Sequence, residues 1–191
     1  IDGMANMVAV TRPSSPLAAN APWQDGAAPA LLTRIDGWQA QFDGDKAALL
    51  AGGDGIQIAK QGRLFDTDAA MLYGMIPPGL YDCRLIQINA AGAPWHEGSS
   101  GKCRVFITGE TRRISFITTQ ETPLGDLHEN DGFSSVYLGH GMVAAMGGLG
   151  TGDGAEIGLV QRIADTRWRI VLPIDGGGSA VVDITRPRRA E

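Results

Sequence analysis

The pair Pro77-Pro78 divides this chain into two textures, and the second texture constrains the fold most. Downstream of it no helical spacing of apolar residues survives. Short apolar runs separated by Gly, Asp and Asn predict strands near 80–89, 103–108, 113–119, 133–139, 156–163, 167–173 and 180–185. In RWRIVLP, Trp168, Ile170 and Leu172 share one face, and Arg167 and Arg169 take the other. The turns Ala164-Asp165-Thr166 and Asp175-Gly176-Gly177-Gly178-Ser179 have hairpin length, so the strands are expected to run antiparallel. Such strands must bury one face and manage their edges, and closure does both. The expected fold is therefore α+β: a small antiparallel, lipocalin-like β-barrel of about seven or eight strands, preceded by a short helical N-terminal lobe. A two-layer β-sandwich with packed helices is the alternative.

The lobe is read from ALLTRIDGWQAQF, where Leu31, Ile35, Trp38 and Phe42 recur on one helical face. Gly44 is expected to interrupt this pattern, and DKAALLAGG to form a second short helix ended by Gly52-Gly53. LFDTDAAML predicts a further helical turn or two, capped by Asp66 or Thr67. Residues 1–29, rich in Ala, Pro, Ser and Gly, are expected to be an extended lead-in with Pro22-Trp23 as its first anchor. The expected organisation is thus lead-in 1–29, helical lobe 30–78 packed on the barrel, and antiparallel β domain 79–187.

Both cysteines fall inside predicted strands. Tyr81, Cys83 and Leu85 share one face, as do Cys103, Val105 and Ile107, and both faces are apolar. If the strands pair, the sulfurs meet. A disulfide across this separation of 20 residues contributes roughly 3 kcal/mol by the chain-entropy estimate. Two buried free thiols are the plainer alternative. A metal site is less suited, because there is no Cys-x-x-Cys and His96 stands alone.

The segments GRLFDTDAAM, PPGLYDCRLIQI, KCRVFI, VYLG, EIGLVQRIADTRWRIVLP and VVDIT, in this order, resemble the proteobacterial family known as domain of unknown function 4893. The resemblance runs from about residue 30 to the end. It implies a small secreted or envelope protein, helical first and β-rich after. It implies no activity.

Bulk chemistry narrows the function classes. A net charge of -5 and only short basic clusters (Arg112-Arg113 and Arg186-Pro187-Arg188-Arg189) argue against nucleic acid. No apolar run reaches transmembrane length. The opening IDGMANMVAVTRPSSP lacks the basic start and apolar run of a signal peptide, and its first residue is not Met, which fits a processed chain. With the expected disulfide, the expected location is the periplasm or outside the cell.

No catalytic, cofactor or metal set stands out. His96, His128 and His140 are expected in or beside loops; Asp126, His128 and Glu129 would need His140 nearby to make a metal cluster. GSSG at 98–101 lacks the spacing of a nucleophile elbow. GGLGTGDG at 147–154 lacks the Lys-Ser/Thr end of a nucleotide loop and reads as a flexible loop at the barrel mouth. Met142 and Met146, four apart, are expected to form one helical turn that caps the mouth or offers an apolar lip. Asp82 and Arg84 are expected to join Arg104 in a surface charge network.

The expected function is a non-catalytic extracytoplasmic binding module. Its binding loops would carry Trp95, His96, His128, His140, Met142 and Met146, it would use no cofactor, and its partner would be a protein, a lipid-like molecule or a cell-wall ligand. A hydrolase with a dispersed site in the 120–155 loops and a structural envelope protein are the alternatives.

Overall fold

The computed structural model describes residues 17, 18, 20–150 and 154–187, and the statements below concern these. Most of the lead-in 1–29 lies outside them. Eight strands form one closed barrel in chain order: β1 (Gly79–Ala90), β2 (Ala93–Thr108), β3 (Thr111–Ile117), β4 (Glu121–Glu129), β5 (Ser134–His140), β6 (Ala155–Ala164), β7 (Arg167–Pro173) and β8 (Ser179–Thr185). Every neighbour is antiparallel, and β8 closes on β1 from Asp82↔Thr185 to Ile88↔Ser179. Closure leaves no free edge.

Eight strands enclose a space about as wide as side chains can fill. Tyr81, Phe116, Tyr137, Trp168 and Ile170 pack there with the cystine. Trp168 meets Tyr81 edge-on, ring centroids 5.7 Å apart. Cys83 and Cys103 are bonded, with Cα atoms 5.7 Å apart, inside the usual range for a disulfide. Tyr81 faces Cys103 and Cys83 faces Gly101 across β1–β2, so the sulfur bridge runs diagonally between adjacent strands.

A second apolar cluster lies outside the barrel. The helices α1 (Pro29–Asp36) and α2 (Trp38–Ala51) lie on its wall, and α3 (Gly55–Lys60) packs against α2. Leu31, Ile35, Trp38 and Phe42 are buried there against Ile86, Ile88, Leu159 and Val171. This explains why β6, β7 and β8 are almost continuously buried rather than alternating. Arg169, on the outer face of β7 as its phase predicts, is fully buried beneath this lobe. Its guanidinium donates to Gln161 Oε1 at 2.7 and 3.0 Å and to the Leu64 carbonyl at 2.6 Å, and lies over the Phe42 ring. A buried cation of this kind persists because its donors are matched. Among the described residues no helix is long and apolar enough to cross a membrane.

Several local expectations are corrected. The helical break falls at Gly37, and α2 runs straight through Gly44. Residues 64–72 form only the end of a 3-10 turn, Gly62–Phe65. There Asp66 accepts the Asp68 amide, while Thr67 receives a hydrogen bond from Lys46 at 3.0 Å and donates to Asp43, inside the lobe. Strand β2 begins ten residues before the expected 103, and β4 occupies a stretch read as loop. Arg104 pairs with Glu121; Asp82 pairs with Lys102, and Arg84 with Asp183.

The physical cause is visible in β4. A bulge between Ile114 and Ser115 shifts its register, so inward Leu124 and Leu127 stand three apart instead of two or four. Its Gly125 faces Gly139 of β5, and the Tyr137 ring lies over both, where a Cβ on either would collide. Pro and Gly here serve a bulge and a close ring contact. On one strand read alone they look like turn residues.

Candidate functional site

The two ends of the barrel are closed differently. At the crossing end, residues 71–78 run beneath the strands: Met71 bridges Arg162, Tyr73 N–H donates to the Gly132 carbonyl at 2.8 Å, and Ile76 inserts into the core. At the opposite, plug end, the β5–β6 connection folds back into the mouth.

Gly141, at φ 65°, turns the chain from β5 into the single helical turn α4 (Met142–Ala145). Met142, Val143 and Met146 point into the barrel and are fully buried. Glycine offers α4 no capping side chain, so its first amides need another acceptor. Glu156 supplies it, accepting Met142 N–H at 2.6 Å and Val143 N–H at 3.1 Å. Gln87, buried inside β1, pairs with Leu149 in both directions, accepting its N–H at 2.6 Å and donating to its carbonyl at 3.0 Å. His96 Nε2 lies 2.9 Å from the Gly147 carbonyl oxygen, and Ser99 N–H donates to the Met146 carbonyl at 2.6 Å.

The described part of the glycine-rich run is therefore packed. A Cβ at Gly148 would stand 2.8 Å from the Val143 carbonyl oxygen and 3.0 Å from Gln87 Oε1. The glycines serve close approach, and no row of free amides is left there to cradle a phosphate. Burial pushes the Glu156 carboxyl up, against the amides that favour its charge. Burial, then the neighbouring Glu156, pushes the Tyr137 hydroxyl far up, and that hydroxyl donates to the Leu124 carbonyl at 3.0 Å.

Beside this plug lies a cleft of about 270 Å³. Val143 of the plug, Ile157 of β6, Leu172 of β7 and Ile174 beyond it make its apolar walls. Its charged groups are Glu156, already occupied by α4, and Arg34 with Asp175 at the rim. Arg34 reaches over from α1 and its guanidinium pairs with the Asp175 carboxylate. The Arg34 side chain is 17% exposed and that of Asp175 80%. The chemistry on offer is binding: an apolar pocket with one charged pair at its lip.

The six expected binding-loop residues do not form one surface. Trp95 and His96 lie on β2, Trp95 on the outer wall with its ring 5.7 Å from Phe65 and its indole N–H on Glu97. His140 ends β5 and is exposed; Met142 and Met146 fill the mouth, not an outer lip. His128 lies on β4 opposite Val136, and His140 is four residues further along β5, roughly 13 Å at strand rise. His128 belongs to the crossing end, near Met75 and Arg112, and burial lowers its pKa, opposed by Asp126. Among the described residues no three His, Cys, Asp or Glu side chains are grouped to hold a metal. Ser99 and Ser100 lie inside β2, without the sharp strand-to-helix turn that exposes a nucleophile.

Reading the sequence missed Arg34, Ile157, Leu172, Ile174 and Asp175 as members of one cleft, and Gln87 as a clamp on the plug. One signal was available. Glu156 opens the otherwise apolar segment EIGLV, and a carboxylate entering a core needs donors.

The fold and cleft define the class: a small closed β-barrel, plugged at one mouth and clad on one side by helices. The chain belongs to the family described as domain of unknown function (DUF4893), whose profile matches residues 23–185. No curated protein matches it. Among solved structures it is similar to a redesigned beta barrel, with 10% identity, 58% of this chain and 91% of that chain covered, and a TM-score of 0.35.

Proposed function

We propose that this protein is a non-catalytic binding module of an oxidising, extracytoplasmic compartment, and that its ligand enters the cleft between α1, the plug and the β6–β7 rim. The observation that carries the reading is the filled barrel. Among the described residues Tyr81, Phe116, Tyr137 and Trp168 fill the interior with side chains, and the cleft at the mouth is a concave surface where apolar walls meet a charged pair. The Cys83–Cys103 bond supports the compartment. The hydrolase alternative is not favoured, because His128 and His140 sit far apart along their strands.

Ala155 is exposed and lines the cleft, so Ala155→Trp fills it without disturbing the core. In amide NMR of the full chain, small amphiphilic fragments are expected to shift residues 154–157 and 172–175, and Ala155→Trp to abolish those shifts. Fragment shifts confined to other surfaces, or unchanged by Ala155→Trp, would overturn the site. A non-reducing peptide map of the protein from its native cell is expected to show the 83–103 cross-link; free thiols there would overturn the compartment.

A further inference from the structure

We propose that the cleft takes a ligand with one anionic head, a carboxylate or a phosphate ester, on a short apolar body, and that the head docks on Arg34. This rests on the cleft being the binding site. Of the three charged groups there, Glu156 is inside and already holds two plug amides. Asp175 stands in water, whereas Arg34 is largely buried against the wall. The pair is therefore lopsided: an arginine whose side chain is mostly covered faces a carboxylate that stands in water and loses little by letting go. An incoming anion reproduces the two-pronged geometry a guanidinium prefers and releases Asp175 to full hydration.

The turn that carries Asp175 does not depend on this pair. The Gln41 side-chain amide of α2 donates to the carbonyls of Ile174 and Gly178, fixing the turn through its backbone. Asp175 can thus be displaced while the cleft keeps its shape. Below the head position, Val143, Ile157, Leu172 and Ile174 offer only hydrocarbon. The volume of about 270 Å³ lies near the lower end of small-ligand sites, which suits a short apolar body with a single head.

The test titrates the intact, oxidised chain with octanoate, octyl phosphate, octanol and octylamine, each below its micelle-forming concentration, following the cleft amides by NMR. A charge-assisted hydrogen bond of about 1.5–3 kcal/mol corresponds to roughly tenfold or more, so one or both anions should bind at least about tenfold tighter than octanol. Whichever anion is tighter identifies the head. Arg34→Gln should bring anion and alcohol to within about twofold while octanol affinity holds. Asp175→Asn, which removes the competitor and leaves the turn, should tighten the anion. If octanol and octylamine match the anions in the cleft, or Asp175→Asn weakens anion binding, the head assignment fails and the cleft stands. If none of the four shifts the cleft amides, both readings fail.

Discussion

The two ends of this barrel solve one problem with different chemistry. The crossing end is fastened covalently and by packing. The cystine ties the start of β1 to β2, the Tyr81 hydroxyl donates to the Pro77 carbonyl at 2.6 Å, and Arg112 donates to the Ile76 carbonyl at 3.1 Å. The plug end has no covalent tie: Met142, Val143 and Met146 pack into the barrel, and polar clamps hold the backbone, Glu156 on α4 and Gln87 on Leu149. Exposure differs as well. Leu72, Tyr73 and Ile107 near the crossing end stay in water, whereas Met142, Val143 and Met146 of the plug are buried. A covalent fastening tolerates a greasy rim, but a short helical turn held by a carboxylate must bury its apolar face to stay put. The plug end is accordingly where a small perturbation is expected to be read out, and it carries the cleft.

The largest effect separating the ends should come from the cystine. Replacing Cys83 and Cys103 by Ala is expected to lower stability by about 3 kcal/mol, measured by denaturant unfolding. Hydrogen exchange should speed up around 79–83 and 101–105 and leave the 142–149 amides protected against local opening. Equal loosening at both ends would erase the distinction.

Glu156→Ala comes next. It strands two buried amides, and the cost of an unsatisfied donor puts the loss at about 2 kcal/mol. Local exchange should rise at 142–149, with β1 and β2 near the cystine unchanged. A variant as stable as the parent would show that water replaces the carboxylate and that the clamp is incidental.

Smaller, and opposite in sign at the two ends, is the pH response. Glu156 has a raised folded pKa, so its contribution is complete below the ordinary glutamate range and is lost as pH rises through the folded value. His128 has a lowered folded pKa, so its contribution is complete above the ordinary histidine range and is lost as pH falls through the folded value. Between those ranges the two slopes oppose each other. The protein should therefore look flatter with pH than either single variant. His128→Phe should leave stability falling as pH rises through the weakly acidic range, and Glu156→Gln should leave it rising. Matching slopes in the two variants would contradict the assigned directions.

The smallest effect is at Tyr73, exposed and held at φ 64°. A bulky residue there is strained, and Asn tolerates that backbone better. Tyr73→Asn should raise stability by a few tenths of a kcal/mol in thermal unfolding. A loss of more than about 1 kcal/mol would show that the ring is engaged after all.

Legibility followed local regularity. Strands with clean phase, such as RWRIVLP with Trp168 inward, were readable one at a time, and so was the shared face of Cys83 and Cys103. The stripe of Leu31, Ile35, Trp38 and Phe42 announced a docked helix. β4 was not legible, because its bulge and the Gly125–Gly139 pair have meaning only beside Ile114 and Tyr137. The first half of β2 was hidden for a related reason: Gly98 and Gly101 are small because Leu85, Phe116 and the Met146 carbonyl approach them. The glycine-rich run after Met146 looked loose for the same cause, although Val143 and Gln87 pack against it. Glycine marks both freedom and crowding, and one chain read in order cannot tell them apart.

By itself the amino-acid order determined an antiparallel β unit after Pro78, a helix docked ahead of it, and two cysteines on faces able to meet. Those features rest on interactions between residues close in sequence or on the two-residue period of a strand. Tertiary structure decided for the closed barrel over the sandwich and for Met142 and Met146 as a cap rather than a lip, and it alone showed that Arg34, Glu156 and Asp175 border one cleft. Their proximity is produced by closure and by docking of the lobe, which bring together residues more than a hundred positions apart that share no local pattern.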